Sequence, residues 1–336
     1  MHDRQPITVI GAGIIGLWQA LLLARAGHRV QLIEASAAAD PFAAAASRHA
    51  GAMLAPDCES EAAPEIVRRF GHEGLRLWRE TYPHLVEAGT LVVAQARDRS
   101  ELARFARMTG GHETLDAPRL ADLEPELSDR FASALFFRDE AHMETPHAMA
   151  FLLDNARAAG AAIELGVVAE PASLDGLVVD CRGMGAAADL DTLRGVRGEH
   201  LVVHAPDVAL ARPVRLLHPR HPLYVVPWPG HRFMIGATVI ESDDGGPATV
   251  RSALELMGNA YALHPGFGEA EILDMGAGLR PAYPDNVPRD SVEAGGRVVR
   301  ANGAYRHGFL LAPVLAEVVA GFIADAAFAN PLLVRA

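Results

Sequence analysis

The sequence predicts an α/β fold. A Rossmann-like dinucleotide domain is assembled from separated segments, and an antiparallel-sheet α+β substrate domain is inserted in pieces. Three observations carry this expectation. A strand–glycine turn–helix–strand unit opens the chain over residues 7–34. A second strand–glycine loop–helix unit lies near the other end, from about residue 297. Between them, from residue 197, runs a strand-rich stretch punctuated by proline and glycine.

The opening unit is the most regular. Ile7-Thr8-Val9-Ile10 reads as a short buried strand, followed by Gly11-Ala12-Gly13-Ile14-Ile15-Gly16. Leu17 to Ala26 is an apolar helix stopped at Gly27, and Arg29–Ile33 is a second strand ending at Glu34. Gly11 allows the tight turn, Gly13 lets a pyrophosphate approach the backbone, and Gly16 lets helix pack on strand. The free N–H groups and positive dipole end of the helix suit phosphate. Glu34 can accept hydrogen bonds from a ribose diol and would repel a 2′-phosphate, which disfavours NADP. The motif does not separate FAD from NAD.

Further elements follow in order. Residues 35–56 are alanine-rich and end in SRHAGAMLAP. Residues 64–82 form an amphipathic helix with Ile66, Val67, Phe70, Leu75, Leu77 and Trp78 on its apolar face. Strands are expected over 89–95, 131–138 and 177–181, and helices over 100–109, 118–124 and 146–159. Residues 199–204, 223–226 and 233–238 are strand-like, and 249–263 helical. A last strand over 297–301 leads to a helix expected over 311–326, with Pro313 near its start.

Composition narrows the chemistry. All 30 basic residues among the 336 are arginine, so a lysine Schiff base and the lysine of a P-loop are excluded. Every cationic contact falls to arginine, histidine or the amino terminus, and arginine favours two-pronged recognition of carboxylate or phosphate. A net charge of −12 argues against nucleic-acid and anionic-membrane partners. Two cysteines cannot build a disulfide framework, and no apolar run is long enough to span a membrane, so a cytoplasmic protein is expected. The 15 histidines include no HExxH; His72-Glu73 lacks the second histidine, and the prolines around His218 and His221 disfavour a ligand helix, so no metal site is expected.

The segment RANGAYRHGFLLAP at 300–313 favours a flavin. A reduced flavin carries negative charge at its pyrimidine end, and a helix N-terminus aimed there stabilises it by about 1–2 kcal/mol. With this segment, GAGIIG, Glu34, SRHAGAMLAP and GAGLRP in this order, the chain resembles the FAD-dependent amine oxidases related to D-amino-acid oxidase, within them most the glycine oxidases of thiamine biosynthesis. The resemblance covers nearly the whole length and implies a glutathione-reductase-type FAD domain. Expected boundaries are 1–80, 136–196 and 275–336 for that domain, and 81–135 and 197–274 for the substrate domain.

The resemblance also implies roles. Arg280 pairs with the substrate carboxylate, Tyr224 hydrogen-bonds it, and Arg306 lies beside the substrate at the flavin edge. Val239 and Met53 line the small-substrate pocket. Cofactor contacts are expected from Gly11, Gly13, Ile14, Ile15 and Gly16, from Glu34 and Ala35, and from Ser47, Ala50, Gly51, Met53 and Leu54. Further contacts are expected from Val168 at the adenine, from Cys181 and Gly183, and from Gly278 and Arg280. The last come from Gly303 and from Tyr305, Arg306, His307, Gly308, Phe309 and Leu310 around the ring. The implied reaction is oxidative deamination of a small amino acid with dioxygen as acceptor, giving imino acid and hydrogen peroxide. The implied FAD is non-covalent, since neither Cys58 nor Cys181 lies in the C-terminal region. A homo-oligomer is expected, tetrameric in the enzymes it resembles. Oxidation of sarcosine or a larger D-amino acid, and a non-enzymatic flavin-binding role, stay open at this point.

Overall fold

The computed structural model describes residues 6–335. Residues 1–5 and 336, the outer ends of the expected 1–80 and 275–336 segments, lie outside the described residues.

Two large sheets carry the chain. The first has seven strands, in the order Leu333–Arg335, Arg289–Val292, Val298–Asn302, Leu177–Asp180, Ile7–Ile10, Val30–Glu34, Ala162–Leu165. Its central strands run parallel. They are mainly apolar and buried on both faces, one under helices and the other, at Ile10, Val178 and Val298, under the chain around Ala169 and Leu174. Helices Ile14–Arg25, Thr145–Ala158, Glu65–Thr81 and Gly308–Ala324 pack together on it in one core that includes Leu17, Trp18, Trp78, Leu152 and Leu315.

The second sheet has nine strands. Arg194–His204 pairs antiparallel with Arg232–Gly236 on one side and with Glu271–Ala282 on the other. It has its own core, built on residues such as Leu91, Phe136, Leu201, Val214 and Ile235.

Most element positions expected from sequence fall within a few residues of those observed. The structure adds strands that the sequence does not announce, among them Glu113–Asp116, Ala162–Leu165, Val214–Leu217, Arg289–Val292 and Leu333–Arg335, and it gives the strand before Arg280 its bounds, Glu271–Ala282. Because Glu271–Ala282 and Arg194–His204 pair along their lengths in the second sheet, the sheets part near 194 and 282, against the expected 196 and 275. Arg280 is expected just after a strand; here the strand runs through it to Ala282, because a strand at the margin of a sheet tolerates the glycines and proline of DMGAGLRPA.

The last helix also differs. It begins at Gly308, so Pro313 stands inside it. Proline lacks the N–H that would bond the Phe309 carbonyl four residues back. The Trp78 indole N–H donates to that carbonyl instead, at 2.6 Å. The helix therefore continues without losing a buried hydrogen bond, and its N-terminus is fixed against Glu65–Thr81.

Candidate active site

A cavity of about 430 Å³ opens where the carboxyl ends of the parallel strands meet the second sheet. This is where ligands of doubly wound sheets bind. One end of its wall is Gly11, Gly13, Ile14, Ile15, Ser47, Cys181 and Gly183; the other is Met53, Tyr224, Gly278, Arg280 and Tyr305–Leu310.

At the first end the loop is built for close approach. A Cβ on Gly16 would lie 1.8 Å from the Gly11 carbonyl oxygen, so no other residue lets the helix start there. The Ser47 hydroxyl accepts the Ile14 N–H at 3.1 Å. Both oxygens of buried Glu34 hold backbone: one accepts from Ala12 N–H at 2.6 Å, the other from Ser36 N–H at 2.8 Å. Glu34 thus shapes the glycine turn and stands outside the cavity lining.

At the other end, Asn302 ties two strand ends together. Its amide donates to the Gly183 carbonyl at 3.0 Å, and its oxygen accepts from Gly303 N–H at 2.8 Å. The chain then turns through Tyr305, at positive φ, whose N–H donates to the Pro281 carbonyl. Gly308 opens the 17-residue helix with its first turn in the cavity wall and no side-chain cap. Its amide groups are free for an electron-rich ligand edge.

Three arginines line the cavity. Arg182 is engaged by Asp180, Asp189 and Glu170. Arg306 pairs with Glu59 at 3.2 Å. Arg280 has only a neutral partner, the Thr238 carbonyl, at 3.1 Å. Its guanidinium lies on Gly198, where a Cβ would stand 2.1 Å from Nη2. Among the described residues it is the cavity cation without a carboxylate. Burial lowers its affinity for the proton, with Tyr224 and Glu59 opposing, but an arginine starts high enough to stay charged.

Burial would raise the Glu59 carboxyl, yet Arg306 and Arg215 outweigh it and bring it to about 2. Burial brings His307 down to about 4, against the pull of Glu59, and His49 to about 4 with help from His200 and Arg48. Both imidazoles are neutral near pH 7. Burial raises the Tyr224 hydroxyl, which remains a donor.

Several expected residues stand elsewhere. Val239 is 49% exposed and Val168 79% exposed, and neither borders the cavity. Ala35 is exposed; Leu54 is buried in the helical core. Gly303 packs against the Tyr283 ring behind the wall. Glu59, His49 and Gly198 line the cavity without having been singled out in the sequence. No cluster of three or more metal-ligating side chains occurs among the described residues.

The glycine cradle at one end and the uncapped helix start at the other fit an extended dinucleotide with an electron-rich terminal ring. A family model described as FAD dependent oxidoreductase matches residues 6–321. The chain is 52% identical, over 94% of its length and 95% of the relative's, to a Rhizobium etli protein whose name assigns it as the thiamine biosynthesis oxidoreductase ThiO. It is 26% identical to the glycine oxidase of Bacillus licheniformis, over 96% of this chain and 94% of that one. The crystal structure of glycine oxidase from Geobacillus kaustophilus superposes with a TM-score of 0.80 at 24% identity, covering 97% of this chain and 96% of that one.

Proposed function

The chain belongs to the family of FAD-dependent oxidoreductases, and from that premise we propose that it deaminates glycine or another small amino acid oxidatively. The observation that carries this reading is Arg280, a cavity cation with only a carbonyl partner, close to the free first turn of the Gly308 helix. An amino acid offers the planar carboxylate that a guanidinium fork matches. The Tyr224 hydroxyl, on the neighbouring wall, donates a further hydrogen bond to it.

FAD would be held non-covalently by Gly11, Gly13 and Ser47 at its phosphates and by Tyr305–Leu310 at its ring. The chemistry it supplies is uptake of a hydride equivalent from the α-carbon and delivery of both electrons to dioxygen, giving hydrogen peroxide. The protein's own part is to orient the substrate through Arg280 and Tyr224, and to enclose it. Because the α-hydrogen leaves with its electron pair, no side chain needs to take a proton from the α-carbon. The imino acid is released and hydrolyses to oxo acid and ammonia, or is used for the thiazole of thiamine. Similarity to the thiamine-biosynthesis protein of Rhizobium etli supports that destination.

The test is a substrate panel of glycine, sarcosine, D-alanine and D-proline, read by peroxide release. Glycine is expected to give the highest kcat/KM. A clear preference for D-proline or D-alanine would move the reading to a larger D-amino acid, and no peroxide from any of them would overturn it.

A further inference from the structure

Among the described residues, Glu59 is the single acid that lines the cavity. It ends the short helix Pro56–Glu59, close behind the strand Met53–Leu54. Two arginines converge on one oxygen of its carboxylate. Arg306 reaches it from the cavity at 3.2 Å, and Arg215 from the strand Val214–Leu217 at 3.7 Å. Arg215 is anchored in turn by Glu61 at 3.3 Å, and Glu61 by Arg104 at 2.8 Å. Glu59 cannot swing away without breaking this chain of pairs.

The charges at the substrate end can therefore be counted. Arg280 and Arg306 are cations and Glu59 is an anion, which leaves one positive charge. A small amino acid with a neutral amine carries one negative charge and balances it. A second anionic group on the substrate would meet Arg306 already matched, with the Glu59 carboxylate beside it. Beside a carboxylate and guanidinium that are largely buried, an unbalanced like charge is disfavoured.

We propose that Glu59 is a specificity-determining residue: by pairing with Arg306 it fixes the substrate end at one net positive charge, admits amines with one anionic group and rejects those with two. The proposal rests on the reading of Arg280 as the carboxylate partner.

The test is equilibrium binding of two small anions to the FAD-loaded protein, followed by perturbation of the flavin spectrum. Acetate stands for a one-anion substrate and malonate for a two-anion one. The wild-type protein is expected to bind acetate more tightly than malonate. Glu59→Gln is expected to shift the malonate-to-acetate preference towards malonate by about tenfold or more, and Glu59→Asp, which keeps the charge, to retain the wild-type preference. An unshifted ratio in Glu59→Gln, or an equal shift in Glu59→Asp, overturns the gate while leaving the carboxylate reading in place. The wild-type protein supplies its own arm should Glu59→Gln fail to hold flavin: malonate binding there as tightly as acetate overturns the gate by itself. If neither anion competes with glycine, the reading of Arg280 falls and the gate with it.

Discussion

Arg280 stands on Gly198 and faces the cavity with a single carbonyl partner. Its removal should therefore cost substrate binding and little else. Arg280→Ala is expected to lose about 2–5 kcal/mol of carboxylate binding, read as a raised KM for glycine with flavin still bound; unchanged kinetics would remove Arg280 from the site. Gly198→Ala tests the seat from the other side. Its Cβ would collide with the flexible end of Arg280 rather than with backbone, so the fold should survive and KM should rise. The motif around Arg280 was legible in the sequence, as were Tyr224 and Arg306. Glu59 was not: it sits in a polar stretch with no motif, and the arginine that gives it a role is 247 residues away. Val239 and Val168, expected at the pocket and the adenine, stand outside the cavity. Their letters suit a pocket wall, but nothing local says which way a loop turns its side chain.

The elements that hold the site depend on contacts of the same long range. Trp78 donates to the Phe309 carbonyl that Pro313 leaves without its helical partner, and so fixes the helix start in the cavity wall. Trp78→Phe would strand that buried carbonyl. A loss of roughly 1–3 kcal/mol from the missing bond is expected, measured by urea unfolding, with a further loss from the smaller ring. If stability and flavin affinity are both unchanged, the indole is not what supports the helix start. From sequence this helix is expected only from Leu311, because proline is commonest near a helix start. A tertiary donor overrides that preference. The extent of the strand Glu271–Ala282 is hidden for a related reason: its glycines permit close approach to His49, His200 and the opposite strand, which local propensity does not register.

At the scale of the molecule, two sheets are legible in outline because strand–glycine turn–helix units bracket a strand-rich stretch punctuated by proline and glycine. The exact partition is not, since the strands Arg194–His204 and Glu271–Ala282 run from one region towards the other. A buried acid, Glu140, also ties stability to pH. Burial lifts Glu140 from 4.5 to about 8, against the Cys58 N–H that its carboxylate accepts at 2.7 Å. As pH rises past 4.5 the unfolded chain releases this proton while the folded chain keeps it until about 8. The unfolded state then binds fewer protons, so this group's contribution falls with rising pH across that window and levels off above it. Glu140→Gln should flatten the decline of Tm between pH 5 and 8; an identical slope in both proteins would contradict the buried neutral acid.

The central claim, that this cavity oxidises a small amino acid on FAD seated beside Arg280, is met most directly by one anaerobic titration. Glycine is added to the FAD-loaded wild-type protein and to Arg280→Ala, and the flavin absorbance is followed. The account predicts that the yellow colour bleaches in the wild type at low glycine and only at far higher glycine in Arg280→Ala. A wild-type flavin that stays oxidised with glycine and every other amine of the panel, or equal bleaching in the two proteins, would contradict it.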